Sequence, residues 1–243
     1  MPRYTIPIIL AALALGYMLG YVHSVLRLRP TSQQPTTTQT PIPASQTSQP
    51  FPQVIQSSTG HKVLPITPTD QPVLDAIANA ADAALEKFNA PNSPLKGLPR
   101  INEASRFFED SLRTLLDDHP DLACSIPVTS AGTIQRSGYP DLRIVHLPTN
   151  KIYYLDPKLY ESSSETSTLR TFYYTPKSKT SKITSSASHL LIGFAHNGDN
   201  NHWQFLSWKL VDLNTIKLSL KTEYNASNKE LYLTPRILQR SSK

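Results

Sequence analysis

Residues 141–160 constrain the fold more than any other stretch, because apolar and charged side chains alternate there on both sides of a turn. Asp141-Leu-Arg-Ile-Val-His-Leu147 reads as one strand, Pro148-Thr-Asn-Lys151 as a turn and Ile152 to Tyr160 as the returning strand. Along the second strand Asp156 and Lys158 share one face, while Leu155, Pro157 and Leu159 share the other. The apolar face calls for a core, which leaves the charged face to line a cleft. Pro140-Asp141 then stands one strand away from Asp156-Pro157-Lys158, so a single hairpin gathers two carboxylates and one ammonium. The approach Gly138-Tyr139-Pro140 is stiff and suits a fixed strand start at Asp141.

The flanking segments supply layers for such a hairpin. Leu74, Ile77, Ala81, Leu85 and Phe88 recur at helical spacing and predict a helix over Val73 to Asn89, closed by Pro91 and Pro94. A second helix is expected from Asn102, as N-cap, to Asp118 before Pro120, with Phe107, Phe108, Leu112, Leu115 and Leu116 as its buried stripe. Strands are expected over Thr168 to Tyr174, Trp203 to Leu213 and Ile216 to Thr222, and a terminal strand or helix over Tyr232 to Gln239. Ser185 to Ala195 reads as a short helix leading into the buried strand Leu190 to Ala195. Helices first, then a strand-rich centre, give a mixed α/β domain over residues 73–243.

The first part of the chain has a different character. Residues 4–26 carry no Asp, Glu, Lys or Arg and are long enough to cross a bilayer, so residues 1–29 are expected to be an N-terminal transmembrane helix in a single-pass membrane protein, its orientation unresolved. Gly16 and Gly20 have the GxxxG spacing that can pack two such helices into a homodimer, although ordinary small residues in a membrane span account for the spacing as well. Residues 30–72, rich in Pro, Thr, Ser and Gln, are expected to form a disordered linker that cannot bury enough surface to offset its ordering entropy. One cysteine, Cys124, excludes an intramolecular disulfide and a multi-cysteine zinc site, and suits a small buried filler. The net charge of +6 is uneven: residues 143–243 hold fourteen Lys and Arg against seven Asp and Glu, so this half would face an anionic partner.

Pro140-Asp141, then Asp156-Pro157-Lys158 on the next strand, with a helix carrying Glu109 before them, resembles the PD-(D/E)xK nuclease superfamily. The resemblance covers roughly Asn102 to Ala195. It implies a restriction-endonuclease-like fold, a mixed central sheet flanked by helices, and a Mg²⁺-dependent (or Mn²⁺-dependent) nuclease acting on nucleic acid, DNA above all, with endo or exo action left open. It further implies that Asp141, Asp156 and the Pro157 carbonyl bind the cation, with Glu109 acting through water. Lys158 would orient or deprotonate the attacking water and stabilise the transition state. Glu103 is the second choice for the helix acid.

Around this motif, Gln135, Arg136, Arg170, Lys177, Lys179 and Lys182 form a candidate track for a nucleic-acid backbone, with Arg170 and Lys182 best suited to phosphate contact. His189, His196 and His202 suit a solvated polar segment better than a second metal site. The Walker phosphate loop, the GxSxG elbow and HExxH are missing from the sequence, which argues against a nucleoside triphosphatase, a serine hydrolase and a zincin. Two alternatives stay open: Asp156 and Lys158 also suit a surface pair on an exposed hairpin, and the same fold also suits an inactive nucleic-acid-binding or protein-interaction module on the membrane.

Overall fold

The computed structural model describes residues 48–168, 170–177, 179–220 and 224–241. In chain order its elements are β1 (Ser48–Pro50), α1 (Phe51–Thr59), α2 (Gln71–Asn89), α3 (Ile101–Asp117), β2 (Leu122–Ser125), β3 (Leu142–His146), β4 (Lys151–Glu161), β5 (Arg170–Tyr174), β6 (Ser188–His196), β7 (Phe205–Asp212), β8 (Lys217–Leu220), β9 (Tyr224–Ser227), α4 (Asn228–Leu231) and β10 (Ile237–Arg240). Six strands form a mixed central sheet in the order β10-β7-β6-β4-β3-β2, in which β4 and β6 run parallel and the other neighbours antiparallel. A smaller antiparallel sheet has the order β1-β8-β9-β5.

Strand alternation sorts side chains between two cores. Tyr153 and Leu155 of β4 and Leu190, Ile192 and Phe194 of β6 pack with α2 and α3. The alternate residues, Tyr154 and Tyr160 of β4 with Leu191 and Ala195 of β6, pack with α1 and the smaller sheet. The central sheet is therefore covered on both faces, which explains why β6 is buried along its whole length. This second cover also changes what was expected of the charged face of β4: Asp156 is buried, not laid along an open cleft.

Helical periodicity places α2 as expected, with Leu74, Ile77, Ala81, Leu85 and Phe88 all buried. On α3 the buried line is Ala104, Phe108, Leu112 and Leu116, at i, i+4 spacing. Phe107 and Leu115, expected in that stripe, lie on the neighbouring line and stay more than a third exposed, flanking a groove between α2 and α3. Asn102 falls inside the helix, and Arg100 takes the N-cap position. Cys124 is buried, and burial pushes its thiol up to about 12.

Two further expectations are corrected. The linker call fails from Ser48 onward, because β1 pairs with β8 and α1 buries Phe51, Val54 and Ile55 in the second core. Asp70, also inside the expected linker, is buried with its carboxylate 2.7 Å from Lys151 Nζ, tying the start of α2 to β4. Burial works against that carboxylate, but hydrogen bonds from Lys151 and Tyr153 outweigh it and hold its pKa below the usual range. The expected short helix before Leu190 is extended backbone instead, because β6 begins at Ser188 alongside Tyr153. The calls on residues 4–26 and 30–47 lie outside the described residues; among those described, no helix is long and apolar enough to cross a membrane.

Candidate active site

The β3–β4 hairpin brings the carboxylates together by register. The turn closes through Asn150, whose φ of +57° is tolerated by asparagine, with its N–H donating to the His146 carbonyl at 2.8 Å. Leu142 then pairs with Leu155, which sets Asp141 beside Asp156 at the open end of the hairpin. Tyr139 supports the approach to Asp141. Its hydroxyl shares a 2.7 Å hydrogen bond with Nδ1 of the buried His189, and its ring packs edge-on against Phe51 and Phe172.

Three oxygens converge on one nitrogen. Lys158 Nζ lies 2.6 Å from Asp156 Oδ2, 3.3 Å from Asp141 Oδ2 and 3.2 Å from the Pro157 carbonyl oxygen, to which it donates. The contact with Asp156 Oδ2 is the shortest of the three. Burial pushes the Asp156 carboxyl up to about 8, with Lys158 opposing and Asp141 reinforcing the rise. Burial also disfavours the Lys158 ammonium, but Asp156 and Asp141 outweigh it and hold its pKa above the ordinary lysine range. The amine therefore keeps its proton over the whole range in which Asp156 titrates.

Glu109, half-buried on α3, stands at the margin of this group. Burial raises its pKa first and the charge of Asp141 raises it further. Arg136 holds it from outside, with guanidinium nitrogens 3.8 Å from Glu109 Oε2 and 2.6 Å from Asp110 Oδ1. Lys182, expected at a phosphate, is 1% exposed: Nζ donates to the Arg136 carbonyl at 3.1 Å and lies 3.9 Å from Asp141 Oδ1. That placement removes it from the substrate track. Gln135 donates to Ser137, Lys177 is exposed and lines a small pocket with Gln135, and Lys179 is exposed. Arg170 opens β5, and its side chain lies outside the described residues.

Two of the three histidines are also placed differently from expectation. His189 and His196 are buried in β6, and burial pulls His189 down to about 3, so it is neutral; His202 is exposed beside Asp199. Neither the support from Tyr139 and His189 nor the depth of Lys182 was read from the sequence. The adjacency of Tyr139 to Pro140-Asp141 was a usable signal for the first. The surroundings of Lys182, with Lys177 and Lys179 among hydroxyls, gave none for the second.

The donor set suits a hard divalent cation. Among the described residues no group of three or more His, Cys, Asp or Glu side chains is placed to hold a metal, so two carboxylates and one carbonyl would do so, with water completing the shell. Mg²⁺ accepts that division, because it prefers oxygen and keeps several waters. The observation that fits a cation best is the all-oxygen character of the set, two carboxylates and one carbonyl gathered around a single positive charge.

A model of the type II restriction enzyme MjaV family matches residues 44–235. Type II restriction enzyme MjaV of Methanocaldococcus jannaschii is 26% identical over 195 residues, covering 75% of this chain and 84% of that protein. The structure of restriction endonuclease BglI bound to its DNA recognition sequence covers 71% of this chain and 89% of that one, at 10% identity and a TM-score of 0.39. The family match begins before β1, so residues 44–72 of the segment first assigned to a linker fall within it.

Proposed function

This chain belongs to the type II restriction enzyme MjaV family, and on that premise we propose that it is a DNA endonuclease whose cleavage site is Asp141, Asp156 and Lys158. The observation that carries the reading is the convergence of Asp141 Oδ2, Asp156 Oδ2 and the Pro157 carbonyl within 3.3 Å of Lys158 Nζ. Those three oxygens would hold Mg²⁺ or Mn²⁺, with Glu109 contributing through water. When bound, the cation supplies charge neutralisation at the scissile phosphate and a lowered pKa for its water.

The chain's own groups supply the rest. Lys158 is an ammonium, so its part is to donate hydrogen bonds that orient the attacking water and offset the charge that builds on the phosphate. Asp156, buried on β4, is rigidly placed, and Asp141 faces it from the neighbouring strand. Burial of the pair excludes bulk water, which strengthens each electrostatic contact. Exposed Lys177 and Lys179 lie where a DNA backbone could run, and their contribution would be salt-dependent. A membrane anchor over residues 4–26 and a homodimer paired through Gly16 and Gly20 belong to this proposal on sequence grounds alone.

The test is digestion of supercoiled plasmid and of longer linear DNA by the full chain with Mg²⁺ or Mn²⁺. Cation-dependent linearisation that chelator stops is the expected result, and discrete fragments would mark a recognition sequence. Intact DNA across several substrates and both cations would overturn the reading.

A further inference from the structure

Lys182 is a buried lysine that the cleavage chemistry above does not use. An ammonium removed from water is costly unless it is paired and hydrogen-bonded, so its partners show what holds it there. Among the described residues these are the Arg136 carbonyl at 3.1 Å and Asp141 Oδ1 at 3.9 Å. Lys158 approaches the other oxygen of the same carboxylate, Oδ2, at 3.3 Å. Asp141 thus has one lysine charge beside each oxygen, Lys158 within hydrogen-bond reach and Lys182 just beyond it. The terminal torsion of an aspartate is broad and roughly two-fold, so a single contact leaves the carboxylate plane loosely set, whereas opposed contacts fix it. Lys182 also joins the segment carrying Arg136 to Asp141, and Arg136 in turn grips Glu109 and Asp110 on α3.

We propose that Lys182 is a positioning residue: anchored by its hydrogen bond to the Arg136 carbonyl, its ammonium attracts Asp141 Oδ1 and so turns Asp141 Oδ2 toward Asp156 and Lys158. The proposal rests on the reading of Asp141 as part of the cleavage site. At 1% exposure Lys182 does not reach DNA, which separates it from exposed Lys177 and Lys179. Its effect on the reaction passes through Asp141.

The experiment compares full-length wild type with Lys182→Met. Plasmid cleavage at saturating Mg²⁺ is expected to show kcat lowered about 100-fold, the scale of a misplaced reacting group, with KM within about twofold. Binding of a linear plasmid fragment without divalent cation should keep the wild-type salt dependence. A raised KM, with a salt slope reduced by about one, would make Lys182 a phosphate contact and overturn the proposal, as would unchanged kcat. Urea unfolding of Lys182→Met, Asp141→Asn and the double variant gives an independent readout. Coupling predicts that the double variant shifts the unfolding constant no more than the larger single change, whereas additive effects would refute it. If wild type cleaves no DNA, the functional reading fails while this cycle still decides the contact. Should Lys182→Met not fold, Lys182→Gln keeps a donor for the Arg136 carbonyl and replaces it in both assays; failure of both to fold would make Lys182 purely structural and overturn the proposal.

Discussion

Asp156 concentrates the electrostatic tension of the molecule, because a carboxyl buried on a central strand sits between an ammonium at 2.6 Å and a second carboxylate. Its pKa rises from 3.8 to about 8, so between those values the folded chain holds a proton that the unfolded chain has released. Its contribution to stability is then fully present below pH about 4 and is lost as pH rises to about 8. Other groups titrate in the same range with either sign, so the informative quantity is a difference. In cation-free protein, Asp156→Asn is expected to gain stability relative to wild type progressively from pH 4 to 8, as measured by urea unfolding at a series of pH values. A flat difference would show that Asp156 is not held this way. At this scale the sequence disclosed much: the alternation of β4 put Asp156 and Lys158 on one face, and the Pro140-Asp141 pair gave the third member. Lys182 was hidden because burial comes from the fold around it, and nothing local distinguishes it from solvated Lys177 or Lys179.

At the scale of elements, β6 and α1 make different demands. Gly193 of β6 lies beside Lys158 of β4, and a Cβ there would come 2.1 Å from Tyr232 Oη and 3.1 Å from Tyr160 Cε1. Those two rings stack with centroids 4.7 Å apart, so neither moves freely. Gly193→Ala is expected to cost about 1–3 kcal/mol by overpacking, read as a lowered melting temperature. Phe51 of α1 is fully buried and touches Tyr139, Phe172 and His189, which back the approach to Asp141. Phe51→Ala is expected to lose about 3–5 kcal/mol on denaturant unfolding, and a loss under 1 kcal/mol would deny α1 its place in the core. Both helices of the first core were legible from their 3.6-residue period. In α1 the i, i+3, i+4 set Phe51, Val54 and Ile55 was present, with Pro52 at the helix start and Gly60 in the left-handed conformation at its end. Surrounding Pro, Ser, Thr and Gln masked that short signal. The start of β6 was misread because a fully buried strand shows no alternation to tell it from a helix.

The described molecule is a central mixed sheet covered on both faces, and its second cover comes from segments far apart in sequence, β1 with β8 and β5 with β9. Local pattern carries no register for such pairings, which is why the second core was not foreseen. It follows that a chain starting at residue 61 lacks β1 and α1 and uncovers Leu218, Phe172 and Tyr139. Such a truncation is expected to melt well below one starting at residue 45 and to lose plasmid cleavage with it; equal melting temperatures would contradict the layered account. The central claim concerns the site this architecture encloses, and the most direct measurement is plasmid cleavage with Mg²⁺ by wild type, Asp156→Ala and Lys158→Ala, beside DNA binding without divalent cation. Wild type is expected to cleave, and each variant to cleave at least about 100-fold more slowly while binding DNA within a few-fold of wild type. Cleavage by either variant at the wild-type rate would contradict the account.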